Sequence, residues 1–365
     1  MIYREYGQTG KKLSILGFGG MRFAKVDDHD ECVSMMVAAA EGGVNYFDTA
    51  PEYFGVKSEI AFGKGLAELR RRGLPYHCAT KTFESTEKAI REEIEAQLKR
   101  LDIEAIDFYH IWCLTSLENW EERKKDGVLA TFRKLKEEGL IRHICISSHL
   151  IGDEIKELLM DGEGIFEGVL FGYSALDYRA REAAFQAVKA RKLGAVIMNP
   201  LGGGVIPQNP ERFAFLKRSG EGIVPAALSF LWDHKDTTVA LVGFQDTAQV
   251  KEALAAVTNY KPRSEQELET LKAASSLSLE GVCTGCAYCD NCPQGIPIPE
   301  FMDAYNQKLL SQNADPSVIK KRLKWHWNID IKKAKLCSAC GQCEKDCTQH
   351  IKIIDRLGEI AKIPR

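Results

Sequence analysis

The sequence has no apolar run of about eighteen residues, the length at which a helix spans a bilayer, so no membrane-crossing segment is expected. Neither sign of charge dominates: 49 Lys and Arg stand against 51 Asp and Glu, a net of −2. Net charge thus gives no case for a nucleic acid or an anionic lipid surface as partner. The opening residues, Met1 to Gly7, lack the apolar stretch and small-residue cleavage site of a secretory leader, and a cytoplasmic location is the expectation. No low-complexity tract interrupts the chain. No G-x-G-x-x-G leads from a strand-like run into a helix-like one, so the usual dinucleotide fingerprint of an open doubly wound sheet is missing.

Cysteine, by contrast, is concentrated. Eight of the 12 cysteines fall in two short runs near the end of the sequence: Cys283, Cys286, Cys289, Cys292, then Cys337, Cys340, Cys343, Cys347. The second run is C-x2-C-x2-C-x3-C, the ligand spacing of bacterial two-cluster ferredoxins, and the first shortens its last gap by one. Thiolates at every third position in a Gly-containing loop can take three corners of a cubane, leaving the fourth to a distant cysteine. A disulfide framework belongs to small secreted domains, and zinc sites prefer separated C-x2-C pairs. Two [4Fe-4S] clusters are the expected cargo. Where two such runs occur, the fourth cysteine of each serves the other cluster. One set is then Cys283, Cys286, Cys289 and Cys347, and the other Cys337, Cys340, Cys343 and Cys292. Thr348 stands where proline normally follows the second run, which alters the turn and removes no ligand. Cys32, Cys78, Cys113 and Cys145 lie in apolar segments and read as small buried hydrophobes.

From about residue 14 to 258 a short apolar run alternates with an amphipathic stretch. The runs are Ser14–Gly19, Tyr46–Thr49, His77–Lys81, Phe108–Trp112, His143–Ser147, Val169–Tyr173, Ala195–Met198 and Thr238–Val242. Stretches between them, such as Glu87 to Leu101, place apolar residues three and four apart. Eight strands without a wet face, alternating with eight helical segments, predict an α/β fold of the (β/α)8 TIM barrel type, with the open doubly wound sheet as the competing reading. The predicted organisation is a barrel over residues 1–260, a linker helix over 261–281, and a small α-rich ferredoxin-like domain over 282–365. In the latter, segments from Pro299 and from Asp315 should each start a helix.

Barrel enzymes work at the C-terminal ends of their strands. There the second run ends in Asp48, with Tyr53 five residues on, and the third ends in Lys81. A carboxylate that holds a lysine charged, beside a phenol whose pKa the ammonium lowers, is a proton donor for a carbonyl oxygen. The structural alternative is a buried ion pair with no chemistry.

Here the sequence resembles the aldo-keto reductases. The likeness is carried by Gly17-Phe-Gly-Gly-Met21, Tyr46-Phe-Asp-Thr-Ala-Pro-Glu-Tyr-Phe-Gly55, Thr80-Lys81, Ile146-Ser-Ser-His149 and Val242-Gly243. With the cysteine-rich segment it is similar to the branch that carries a C-terminal ferredoxin-like domain. The resemblance implies a nicotinamide cofactor extended across the barrel mouth, with Asp48, Tyr53 and Lys81 as catalytic residues. It also implies cofactor contacts at Gly20, Met21, Asp48, Ser147, Ser148, Met198, Pro200, Leu201, Gly243 and Glu252. The family usually reads D-x-Y-x-x-H at the fourth strand, where this chain has Asp107-Phe-Tyr-His110-Ile-Trp112. Trp112 therefore holds the usual histidine position, and an indole cannot take up a proton. His110, on the same face one layer deeper, is either a core histidine or a displaced catalytic partner. Leu170 stands at the position of the family's usual glutamine.

The eighth-strand loop, Gly243-Phe-Gln-Asp-Thr-Ala, offers no cation for a 2′-phosphate, and Asp246 would repel one unless it caps the next helix. The reading tilts to NAD(H) over NADP(H). The expected function is interconversion of a small carbonyl compound and its alcohol, with the clusters transferring electrons to a redox partner protein or sensing redox state. The alternative is an electron-transfer or sensor protein whose barrel binds nicotinamide without efficient turnover.

Overall fold

The computed structural model describes residues 1–161, 164–274, 281–311 and 315–363. They fall into two compact units: Met1–Leu201 with Leu216–Lys272, and Gly202–Phe215 with Ala273–Arg365.

The first unit is a closed parallel barrel with an antiparallel hairpin beneath it. The hairpin strands are β1 (Tyr3–Glu5) and β2 (Lys12–Ser14). The barrel strands are β3 (Leu16–Gly19), β4 (Tyr46–Asp48), β5 (His77–Thr82), β6 (Ile106–Leu114), β7 (Ile141–Ser148), β8 (Gly168–Gly172), β9 (Gly194–Met198) and β10 (Val239–Gly243). Every strand-like run of the sequence is one of these strands, and β10 pairs with β3 to close the ring, Gly243 opposite Gly19. The open sheet is thereby excluded.

Alternation of side chains along a strand sends every second residue inward. The lower interior is apolar: Tyr46, Ala79, Phe108, Cys145, Leu170, Val196, Val239 and Leu241 form one buried cluster. The hairpin plugs this end with Tyr6, whose ring occupies the space left by two glycines. A Cβ at Gly168 would lie 1.7 Å from the Tyr6 hydroxyl oxygen, and one at Gly194 2.3 Å from its ring. Two residues further along the same strands the interior turns polar, with Asp48, Lys81, His110 and Ser147 all buried. The site lies at this change of chemistry.

Outside the strands, amphipathic helices cover the barrel as the periodicity predicts. Glu87–Leu101 starts at Thr86, which accepts from the Ala89 N–H, and buries Ile90, Ile94 and Leu101. His29–Glu41, Lys57–Arg72 and Thr247–Asn259 share one apolar core with the first strands.

The second unit is built from Ile298–Leu310, Ser317–Trp325, the 3-10 helix Ile331–Leu336 and Ile353–Ala361. Both helix starts foreseen at Pro299 and Asp315 are present. Its core joins Phe301, Ile319, Leu323, Leu357 and Ile360 to Cys289, Cys343 and Cys347. The segment foreseen as a linker holds the helix Glu265–Ala274; residues 275–280 lie outside the described residues. Periodicity does not foresee that Gly202–Phe215, which follows β9 in the chain, belongs to this second unit.

Candidate active site and thiol sets

Asp48 ends β4 and Lys81 sits one residue before the end of β5, each about 1 % exposed at its side chain and joined Nζ to Oδ1 at 2.5 Å. Lys81 Nζ also donates to the Thr49 carbonyl at 2.7 Å. Burial opposes the charge on Lys81, but the Asp48 carboxylate and the Tyr53 oxygen outweigh it and hold the ammonium above its ordinary pKa. Burial pushes the Asp48 carboxyl up, with Lys81 pulling against it.

Tyr53 arrives from the loop after β4. Three successive left-handed residues, Phe54 (φ 55°), Gly55 (φ 57°) and Val56 (φ 62°), turn the chain immediately after it. For Phe and Val that conformation is strained, and it brings the Tyr53 ring back over the barrel, 5.1 Å from Lys81 Nζ. The phenol lies above its ordinary pKa because desolvation exceeds the opposing effect of Lys81. This corrects the expectation that the ammonium would dominate: the group stays protonated at neutral pH, which is the state a donor needs.

Trp112 fills the place next to Tyr53. It meets the Tyr53 ring edge-on, with centroids 5.7 Å apart, and stacks on Phe83 at 4.0 Å. A register shift between Ile111 and Leu114, with Cys113 at φ 58°, ends β6 irregularly at this point. His110 lies beneath, paired in register with Lys81. It is fully buried, its Nδ1 is 3.3 Å from the Thr80 carbonyl, and Nε2 has no partner among the described residues. Burial, helped by the nearby ammonium, lowers its pKa to about 3. His110 is thus a neutral core imidazole adjoining the ion pair.

The other residues separate into those at the mouth and those otherwise engaged. Gly20 donates its N–H to the Asp48 carbonyl at 2.8 Å. Ser147 is buried, its hydroxyl without a partner among the described residues, whereas Ser148 Oγ receives the Leu150 N–H at 3.1 Å and closes the loop. Met198 ends β9 and packs against the interior cluster. Pro200 is buried, Met21 and Leu201 are partly so, and Glu252 is exposed on Thr247–Asn259. Asp246 caps that helix, accepting from the Gln249 N–H at 2.9 Å.

Residue types alone did not point to Arg22. Its side chain lies against Gly243, where an added Cβ would come within 2.6 Å of Arg22 Cγ. The signal was available in principle, since closing the ring sets the loop after the first barrel strand beside the loop after the last. The absence of a cation in the eighth-strand loop therefore no longer argues against a 2′-phosphate.

In the second unit the eight thiols sort into two fours. Cys283, Cys286, Cys289 and Cys347 are mutual electrostatic neighbours, and Cys343 has Cys337, Cys292 and Cys340 as its electrostatic neighbours. All eight are free of disulfides. No three His, Cys, Asp or Glu side chains among the described residues form the close set that a single metal ion needs. Four thiols in each set is the number that a [4Fe-4S] cluster takes. The surrounding backbone suits ligated sulfur: the N–H groups of Gly285 and Ile351 point to Cys283 Sγ and Cys347 Sγ, each at 3.4 Å. Thr348 turns inward, its Oγ1 3.3 Å from Cys286 Sγ, so the departure from proline sets a hydroxyl beside that sulfur. Gly203, at φ 66°, lies so close to the first ligand loop that a Cβ would be 2.0 Å from the Thr284 carbonyl oxygen.

The pattern of the Aldo/keto reductase family matches residues 15–276, and that of the 4Fe-4S dicluster domain matches residues 282–352. Among curated proteins, L-galactose dehydrogenase of Arabidopsis thaliana is 28% identical over 306 residues, covering 75% of this chain and 93% of its own length. The NADH-specific methylglyoxal reductase of Escherichia coli is 26% identical over 229 residues, 55% of this chain and 67% of the relative. Among solved structures, aldo-keto reductase AKR11C1 from Bacillus halodurans superposes with a TM-score of 0.63 at 24% identity, covering 74% of this chain and 96% of that one; this likeness concerns the fold.

Proposed function

We propose that this chain, which belongs to the aldo/keto reductase family and carries a C-terminal 4Fe-4S dicluster domain, interconverts a small carbonyl compound and its alcohol with a nicotinamide as hydride partner. The observation that carries the reading is the Asp48–Lys81 ion pair held against the ring of Tyr53 at the mouth of the barrel. When bound, the nicotinamide supplies or takes the hydride, and the clusters exchange single electrons. Tyr53 orients its hydroxyl toward the substrate oxygen and gives it a proton in the reductive direction. Lys81 holds that hydroxyl by charge and stabilises the phenolate left behind, while Asp48 keeps Lys81 protonated. Trp112, against Tyr53 and stacked on Phe83, sets aromatic surface beside the proton donor. His110, neutral and beneath the ion pair, takes no part in the transfer.

Ser147 is the chain's candidate for the cofactor amide. Met198, Pro200 and Leu201 line the approach after β9, with Met21, Gly243 and Arg22 on the facing rim. Arg22 supplies a cation at that rim, so both NAD and NADP are to be assayed. The likeness to a sugar dehydrogenase and to a reductase of a small ketoaldehyde supports polyhydroxy or short dicarbonyl substrates as the first panel. The iron ligands are Cys283, Cys286, Cys289 and Cys347 for one cluster and Cys292, Cys337, Cys340 and Cys343 for the other.

The deciding assay is anaerobic turnover of NADH and NADPH against aldehydes, ketones and sugars. In Tyr53→Phe we expect kcat to fall by roughly 10² to 10⁴ while nicotinamide binding persists; unchanged turnover rejects the assignment. The second reading, a nicotinamide-binding redox protein with negligible turnover, draws on Trp112 at the position where the family has histidine. Binding without turnover in the native protein would establish it.

A further inference from the structure

A 3-10 helix has three residues per turn, so its side chains stand in three rows. In Ile331–Leu336 one row is Ile331 and Ala334, continued by Cys337; it faces the core of the second unit, where Ala334 is buried. The second row carries Lys332 and Lys335, and the third Lys333 and Leu336. All four are exposed. Ion pairs in this unit join Lys308 to Glu359 and Arg322 to Asp303, and Lys332, Lys333 and Lys335 have none among the described residues.

The ligand loop comes next. Ala339 (φ 56°) and Gly341 (φ 81°) turn it so that Cys340 is exposed between the partly buried Cys337 and the buried Cys343. Against the 3-10 helix packs Ser317–Trp325, which ends in exposed Lys324 and in Trp325, 78% exposed; Leu336 is 53% exposed. From Lys320 to Lys345 the sequence has eight Lys or Arg against two Asp or Glu, in a chain whose net charge is −2. Exposed apolar side chains, lysines without ion pairs and an exposed cysteine thus lie on neighbouring elements of this unit.

We propose that these elements dock an acidic one-electron carrier protein, which exchanges electrons with the cluster held by Cys292, Cys337, Cys340 and Cys343. The proposal rests on those four thiols holding a cluster. Charge complementarity selects the partner's sign, because a ring of unpaired lysines attracts and orients a negative surface. Exposed Trp325 and Leu336 give the apolar contact around which a polar rim closes in protein interfaces. Cys340 identifies the partner as a redox protein and not a nucleic acid, since it brings the cluster to the surface where a second centre can approach. In each exchange one electron crosses, the donor centre is oxidised by one unit and the acceptor reduced by one; no bond is made or broken and no proton moves.

The test uses anaerobically purified, iron-loaded protein and an immobilised acidic plant-type [2Fe–2S] ferredoxin as probe, with equilibrium binding read by surface plasmon resonance and electron exchange by stopped-flow absorbance. The expected result is binding at low salt that weakens about tenfold or more in the Lys332→Glu/Lys335→Glu double variant and again on raising the salt. Iron content and nicotinamide-linked turnover should not change in that variant. Iron-loaded native protein that fails to bind, or a variant that binds as tightly, overturns the docking proposal alone. Lysine-dependent binding of tRNA or of phosphatidylglycerol vesicles in preference to the ferredoxin also overturns it. Native protein that holds no iron overturns the cluster assignment as well.

Discussion

His110 makes the chain measurably acid-sensitive. Folded, its pKa is lowered to about 3 by burial and by Lys81; unfolded, an imidazole titrates near ~6.5. Because the folded value is the depressed one, the unfolded chain binds the extra proton first, so this group's contribution to stability is intact above about pH 6.5 and falls as the pH drops toward 3. Integrated from pH 7.5 to 5.5, the loss is about 1.4 kcal/mol, a tenfold change in the unfolding constant. The perturbation is His110→Asn, which can retain a donor to the Thr80 carbonyl but cannot titrate. Urea unfolding of both proteins at the two pH values isolates the term, since cluster lability and every other titrating group are shared. The variant should lose about 1.4 kcal/mol less than the native protein on acidification, and the His110 ring resonances should not titrate above pH 5. Equal losses in the two proteins, or a His110 resonance titrating near pH 6.5, would refute the argument that the imidazole is neutral and dry.

Lys81→Met leaves Asp48 buried without its counter-ion and should cost about 3–5 kcal/mol in urea unfolding, part of which Asp48→Asn in the same chain should restore. Gly203→Ala forces a Cβ onto the Thr284 carbonyl at φ 66°. It should lower the thermal midpoint and speed iron loss to a chelator, whereas Gly220→Ala, also left-handed but with nothing within 4 Å, should leave iron loss unchanged. Thr348→Val removes the hydroxyl 3.3 Å from Cys286 Sγ; since hydrogen bonds to ligand sulfur stabilise the reduced state, the potential of that cluster in an EPR-monitored titration should drop, and Thr348→Ser should restore it.

Much of this was legible in the residues. Apolar runs two layers deep gave all eight barrel strands, because a strand buried on both faces has few ways to look like anything else. The two cysteine runs, with the exchange of fourth cysteines usual where two such runs occur, foresaw which thiols lie near one another. Asp48 and Lys81 were found because a polar residue ending an apolar run has no reason to be there except the mouth. What escaped depended on contacts between distant segments. Arg22 reaches Gly243 only because the ring closes. Thr348 looked like a missing proline and is a sulfur-facing hydroxyl. The net rise in the Tyr53 pKa required knowing how much burial opposes Lys81. Gly202–Phe215 read as an ordinary loop after a strand, because the residues it meets, Thr284 and Ser311, lie some eighty to a hundred positions further on.

That excursion bears on how the molecule is made. Translation delivers Gly202 to Phe215 well before the cysteine-bearing segments emerge, and at ordinary elongation rates the delay is several seconds or more. The nascent barrel can close its ring in that interval while this stretch waits, its three consecutive glycines ungripped by Thr284. The segment therefore meets Thr284 only once the later part of the chain has emerged, and chains arrested before Thr284 should be cut by proteases within Gly202–Phe215 first.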